Sequence, residues 1–171
     1  VGKYFGVDIK KIKEAIEAYI PSNNRSQVVQ TKKHTLILDA YNANPSSMIA
    51  AIENFYDMSR LREEVPSFGG KGENKWLILG DMLELGEYEI QEHKNILQLI
   101  VEKKFQNVIL VGERFARSFS EMKVNFPHTF LFKNSDELVN SLKANALIGS
   151  PSLILIKGSR GIKLEKVAEY L

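Results

Sequence analysis

Three short polar segments, each following an apolar run, hold the side chains of this sequence that can do chemistry. The first is Asp39-Ala40-Tyr41-Asn42-Ala43-Asn44-Pro45-Ser46-Ser47. A carboxylate at the end of a buried strand can accept hydrogen bonds from vicinal ribose hydroxyls. Tyr41, Asn42 and Asn44 follow it, and an Asn side chain both donates and accepts, which suits a purine edge or phosphate oxygens. Ser46 or Ser47 is the expected cap of the next helix, whose N-terminus would offer N–H groups to an anion. A purely local use of the same residues is open: Asp39 and Asn44 could hydrogen-bond the turn backbone.

The second segment, Gly80-Asp81-Met82-Leu83-Glu84-Leu85-Gly86, precedes a helix that carries Glu92 and His93. Asp81 and Glu84 could serve a metal or a cationic substrate group, and His93 is either a site residue or a capping one. The third is Lys157-Gly158-Ser159-Arg160-Gly161. Two cations and a hydroxyl around a glycine can hold phosphate or carboxylate, Arg160 in bidentate fashion. Capping of the next helix by Ser159, with exposed basic side chains, is the alternative.

The elements that position these segments are legible in the apolar pattern. Runs at Val28-Val29, Thr35–Leu38, Trp76–Leu79, Val108–Val111, Thr129–Phe132 and Leu153–Ile156 are mostly unbroken, as in strands covered on both faces. Helical spacing recurs over 46–63, with Leu61 on its apolar side, and over 88–104. Shorter helices are expected near 114–123, 135–147 and 162–170. Strand–helix alternation predicts an α/β fold: a Rossmann-like, mostly parallel six-stranded sheet with helices on both faces, its ligands beyond the carboxyl ends of the strands. Ahead of this lies a helix with Asp8 as N-cap, apolar at Ile9, Ile12, Ile16 and Tyr19, with Pro21 past its end. Ser22-Asn23-Asn24-Arg25 reads as a hinge. Residues 1–24 are therefore expected to be the tail of a preceding domain and 25–171 a domain proper. Phe68-Gly69-Gly70-Lys71-Gly72-Glu73-Asn74 is glycine-rich but lacks the strand-to-helix context of a phosphate cradle, so a surface loop is expected.

The chain has 171 residues, 44% of them apolar, enough for one core. Its 23 basic and 21 acidic side chains leave a net charge of +2, with no run of like charge to bind nucleic acid. Without cysteine there is no disulfide framework and no thiolate metal site. No apolar run is long enough to cross a membrane, so a cytoplasmic monomer is the expectation. Val1-Gly2-Lys3-Tyr4 is neither a signal peptide nor a start, which favours a piece of a longer protein.

Together, in this order and spacing, the three segments resemble the C-terminal domain of the Mur ligase family. Asp39 through Met48 is similar to a D-x-Y-N-A-N-P-x-S-M signature, Gly80 through Gly86 to G-D-M-x-E-L-G, and Lys157 through Arg160 to K-G-S-R. The likeness is to the member that joins D-alanyl-D-alanine to UDP-N-acetylmuramoyl-tripeptide in peptidoglycan precursor synthesis. Tyr41-Asn42-Ala43-Asn44 argues against a sibling Mur ligase or a folylpolyglutamate synthetase. The segment before residue 25 argues against a free-standing nucleotide-binding module.

The resemblance implies a three-domain, ATP-dependent ligase. ATP phosphorylates the tripeptide carboxylate, and the dipeptide amine then attacks the acyl phosphate. In the family the first domain binds the UDP sugar, and the central one supplies the phosphate loop, a carbamylated lysine and the Mg²⁺ ligands. The last domain closes over ATP. Carried onto this chain, the resemblance places Asp39 on the ATP ribose, Tyr41, Asn42 and Asn44 around the nucleotide, and Arg25 toward the γ-phosphate. Lys157, Ser159 and Arg160 would face the acyl phosphate or dipeptide, and Asp81, Glu84 and His93 the dipeptide side. No catalytic nucleophile and no metal ligand is expected here. Because the chain has no G-x-x-x-x-G-K-[ST] loop, it should be inactive alone.

Overall fold

The computed structural model describes residues 1–19, 23–64, 74–123, 126–145 and 147–171, without the side chains of residues 59–64. Pro21 and Ser22, the side chain of Leu61, and the loop residues 68–73 lie outside the described residues. Asn74, read as loop, begins a strand.

Each apolar run forms a strand: β1 (Gln27–Gln30), β2 (His34–Asp39), β3 (Asn74–Gly80), β4 (Asn107–Val111), β5 (His128–Phe132) and β6 (Ser152–Lys157). They form one sheet in the order β1-β2-β6-β3-β4-β5. All neighbours run parallel except β1, which lies antiparallel on β2. As an edge strand β1 alternates in burial, and Val28 is exposed. The central β6 is buried at every position, as a strand covered on both faces must be.

Side chains of a strand alternate between faces, and this alternation sorts the core into two layers. Leu77 and Leu79 of β3 pack with Met48, Ile52 and Phe55 of α2 (Pro45–Glu64). The same layer holds Ile96, Leu97 and Ile100 of α3 (Glu89–Glu102) and Phe115 of α4 (Glu113–Met122). Trp76 and Ile78, one residue out of phase, pack on the other side with Leu138 and Val139 of α5 (Ser135–Ala144), and with Leu164 and Val167.

The segment expected as a helix over 162–170 is instead two 3-10 turns, Arg160–Ile162 and Leu164–Tyr170, broken at Lys163 with φ 60°. A left-handed residue interrupts a right-handed helix. The tighter 3-10 winding then puts Leu164 and Val167 on the same side.

The chain leaves β2 through α2 and enters β3, skipping the slot that β6 later fills. That reversal opens a crevice at the carboxyl ends of β2, β6 and β3. The N-terminal helix α1 (Ile9–Glu17) is capped by Asp8, whose carboxylate accepts from Lys10 N at 2.8 Å. It buries no residue, and Ile9, Ile16 and Tyr19 are exposed. Between α1 and β1, Asn23, Asn24 and Ser26 all have positive φ, a conformation Asn tolerates better than Ser. No helix among the described residues is long and apolar enough to cross a membrane.

Candidate functional site

The strand register brings the three polar segments to one rim. Asp39 ends β2 opposite Lys157 of β6, and Lys157 lies opposite Leu79 of β3. Lys157 is 1% exposed, and an ammonium so deep must be paired. Its Nζ donates to Asp39 Oδ2 at 2.6 Å and to the carbonyl of Asn42 at 3.1 Å. The other carboxylate oxygen of Asp39 accepts from Ser26 N, just before β1, at 3.2 Å.

The loop after β2 turns tightly because Ala40 and Ala43 are small and buried. Pro45 takes the first helical position of α2, where it has no N–H to waste. The cap is therefore Asn44, not Ser46 or Ser47: Asn44 Oδ1 accepts from Ser47 N and Ser46 Oγ, both at 2.9 Å. Ser47 Oγ accepts in return from Asn44 N at 3.1 Å, a reciprocal cap.

Arg25, Asp39, Tyr41, Asn42, Asn44, Ser47 and Lys157 line an open cleft of about 300 Å³. It gathers the five residues expected around a nucleotide, adding Lys157 and Ser47. The Arg25 guanidinium sits 4.0 Å from the centroid of the Tyr41 ring and that of Arg160 5.5 Å, both within cation–π range. An exposed aromatic thus holds two cations beside the cleft, neither of them paired with a carboxylate among the described residues.

The second segment is built differently. Asp81 is 1% exposed and accepts from Arg114 N at 3.0 Å and Phe115 N at 2.9 Å. It is a cap for α4 supplied from another strand, replacing the side chain that Gly112 at the cap position lacks. Gly112 has φ 124°, and a Cβ there would lie 2.3 Å from Asp81 Cγ, so only glycine lets the carboxylate approach. His93 is fully buried. Its Nε2 accepts from Met82 N at 3.0 Å, and its Nδ1 bonds the carbonyl of Glu89 at 2.5 Å, which makes Nδ1 the protonated nitrogen. Burial pushes the His93 pKa below its ordinary 6.5, more than offsetting the Glu89 carbonyl and Asp81. Arg114 pairs with Glu89, whose hydrogen bond raises the guanidinium pKa further.

Ser159, 5% exposed, ties the three rim loops together. Its Oγ accepts from Leu83 N at 2.9 Å and donates to the Ala43 carbonyl at 3.3 Å, while its N donates to the Asp81 carbonyl at 3.2 Å. Asp81, His93 and Ser159 are thus buried with polar partners inside the protein, while Lys157, also buried and paired, lines the cleft. Arg160 and Glu84 are exposed, Glu84 with φ 66°. Sequence reasoning missed Ser26, which acts through its backbone N–H thirteen residues from Asp39 and leaves no side-chain signal. Ser47, expected as a helix cap, shares that role with Asn44 and also lines the cleft.

Residues 24–160 match the family described as Mur ligase, glutamate ligase domain. UDP-N-acetylmuramoyl-tripeptide–D-alanyl-D-alanine ligase of Rickettsia prowazekii is 32% identical over 96% of this chain and 33% of its own length. The Bacillus subtilis protein of the same name is also 32% identical, over 99% of this chain and 35% of its own length. The chain thus spans about a third of these relatives. Two solved structures share the fold. MurF from Acinetobacter baumannii has a TM-score of 0.73 at 24% identity, over 98% of this chain and 34% of that one. MurF ligase from Thermotoga maritima, in complex with ADP, has a TM-score of 0.69 at 21% identity, over 99% and 34%. A chain matched by the family over its sheet and all three polar turns belongs to the Mur ligase family.

Proposed function

We propose that this chain is the C-terminal domain of a UDP-N-acetylmuramoyl-tripeptide–D-alanyl-D-alanine ligase, and that it closes one wall of an ATP site whose other wall lies in preceding domains. The observation that carries the reading is the convergence of the three polar turns on one rim, with Asp39, Tyr41, Asn42, Asn44 and Arg25 around a single cleft. Residues 1–24 are the end of the central domain and the hinge. The exposed apolar side chains of α1 support this, as a helix with an unburied apolar face lacks the neighbour it evolved against.

In this reading Asp39 accepts hydrogen bonds from the ribose hydroxyls, and Tyr41, Asn42 and Asn44 surround the nucleotide. Arg25 leaves the Tyr41 ring to meet phosphate oxygens on closure, and Arg160 meets the acyl phosphate or the dipeptide carboxylate. Glu84 stands on the dipeptide side of the rim. Bound ATP supplies the phosphoryl group that activates the tripeptide carboxylate. The phosphate loop and the Mg²⁺ ligands belong to the central domain; among the described residues no His, Cys, Asp or Glu cluster suits a metal. The chain supplies orientation and charge stabilisation, not a nucleophile, and acts in the cytoplasm as part of a monomer.

The test is Asp39→Ala in the full-length protein. The ATP KM should rise at least tenfold with the KM for the UDP substrate nearly unchanged, since one charge-assisted contact is worth about a factor of 10 or more. Equal effects on both substrates would refute the assignment.

A further inference from the structure

We infer that Lys157 is a positioning residue that aims Asp39 at a ribose diol, rather than an anion-binding residue. The inference rests on the proposed nucleotide reading of Asp39 and deepens it.

A lysine following a buried strand and preceding Gly-Ser-Arg suggests a phosphate or carboxylate ligand. The geometry argues otherwise. Lys157 Nζ is buried, with two of its three donors committed: one to Asp39 Oδ2 at 2.6 Å and one to the Asn42 carbonyl at 3.1 Å. An incoming phosphate would find one donor left on an ammonium that is buried and already paired with a carboxylate. The exposed cations Arg25 and Arg160 beside Tyr41 meet no such competition.

The same two contacts give Lys157 a mechanical role. Asp39 and Asn42 are three residues apart on a turn, and a single ammonium clamps the carboxylate of one to the backbone of the other. The Asp39 carboxylate cannot rotate freely while Oδ2 is held. Oδ1 accepts from the exposed amide of Ser26 at 3.2 Å and, with Oδ2 held by the ammonium, is the oxygen left for a hydroxyl to take. The buried pair is thus a means of fixing geometry, a role better supported for such pairs than net stability.

The test compares ATP, 2′-deoxy-ATP and inorganic tripolyphosphate binding to the full-length protein by calorimetry. Wild type should prefer ATP over 2′-deoxy-ATP by about ten- to a hundredfold, as expected for one hydrogen bond to a charged group. Lys157→Met should reduce that preference to less than about threefold while tripolyphosphate affinity stays within about twofold of wild type. The double variant Asp39→Ala/Lys157→Met should bind ATP no more weakly than Asp39→Ala alone.

Should Lys157→Met not fold, Lys157→Arg serves. It keeps the charge, but its donors are fixed in one plane and set farther along the side chain, so the two contacts to Asp39 and Asn42 are not reproduced and the preference should again fall while tripolyphosphate binding is retained. A folded variant that keeps the wild-type preference, or that loses tripolyphosphate affinity as much as ATP affinity, overturns the inference. Failure of the underlying reading looks different: wild type would not distinguish the two nucleotides, or Asp39→Ala would leave the preference intact.

Discussion

Replacing Asp81 by Asn separates a structural role from a substrate-binding one at a position whose sequence context suggests the latter. The carboxylate is 1% exposed, and both its oxygens accept from first-turn N–H groups of α4, at 3.0 and 2.9 Å. The amide keeps the shape but turns one acceptor into a donor, so one buried N–H faces an NH₂. Loss of an N-cap acceptor costs about 1 kcal/mol, and a buried N–H left unpaired about 1–3 kcal/mol. The sum is roughly 2–4 kcal/mol, equivalent to a Tm lower by about 5–15 °C for a chain of this size. Urea unfolding of Asp81→Asn against wild type, followed by circular dichroism, reads the loss as a lower midpoint at unchanged slope. Nucleotide and dipeptide KM in the full-length protein should move little at temperatures where the variant is folded. A variant less than about 0.5 kcal/mol destabilised but with a much higher dipeptide KM would refute the capping argument and restore Asp81 to the substrate site.

Ser159→Ala strips the Leu83 N–H and the Ala43 carbonyl of their shared hydroxyl, and should cost about 1–3 kcal/mol in unfolding free energy. The rim loops should also exchange amide hydrogens faster, which hydrogen-exchange mass spectrometry would detect over the segments around Ala43 and Leu83. A pH titration of stability tests His93. Because burial lowers its pKa in the fold, the folded chain binds fewer protons than the unfolded one below 6.5. The neutral ring's contribution is complete above about pH 6.5 and declines as pH falls below it, by at most ~1.4 kcal/mol per pH unit. His34, lowered by burial and then by Lys33, adds a slope of the same sign. His93→Gln should remove one of the two contributions; an unchanged slope would mean that His93 is not held neutral.

Much of this architecture could be read from residues alone. The unbroken runs at 35–38, 76–79, 108–111 and 153–156 read as strands buried on both faces because nothing in them alternates, and all four lie inside the parallel sheet. Asp39, Tyr41, Asn42 and Asn44 could be grouped because they share one short turn, so proximity in the chain guaranteed proximity in space. Local rules also had enough information to find the Asn44 cap, since Pro45 can only be a first-turn residue.

What a side chain does once its partner is distant in sequence was decided by the tertiary structure. Lys157 meets Asp39 across 118 residues, and Asp81 reaches the first turn of α4 across 33. Nothing within either segment distinguishes a buried lysine clamping a carboxylate from an exposed one awaiting phosphate. Periodicity and turn chemistry act over a few residues and leave their mark in the sequence. Burial and charge pairing depend on which strands become neighbours, and the insertion of β6 between β2 and β3 settles that only when the sheet is complete.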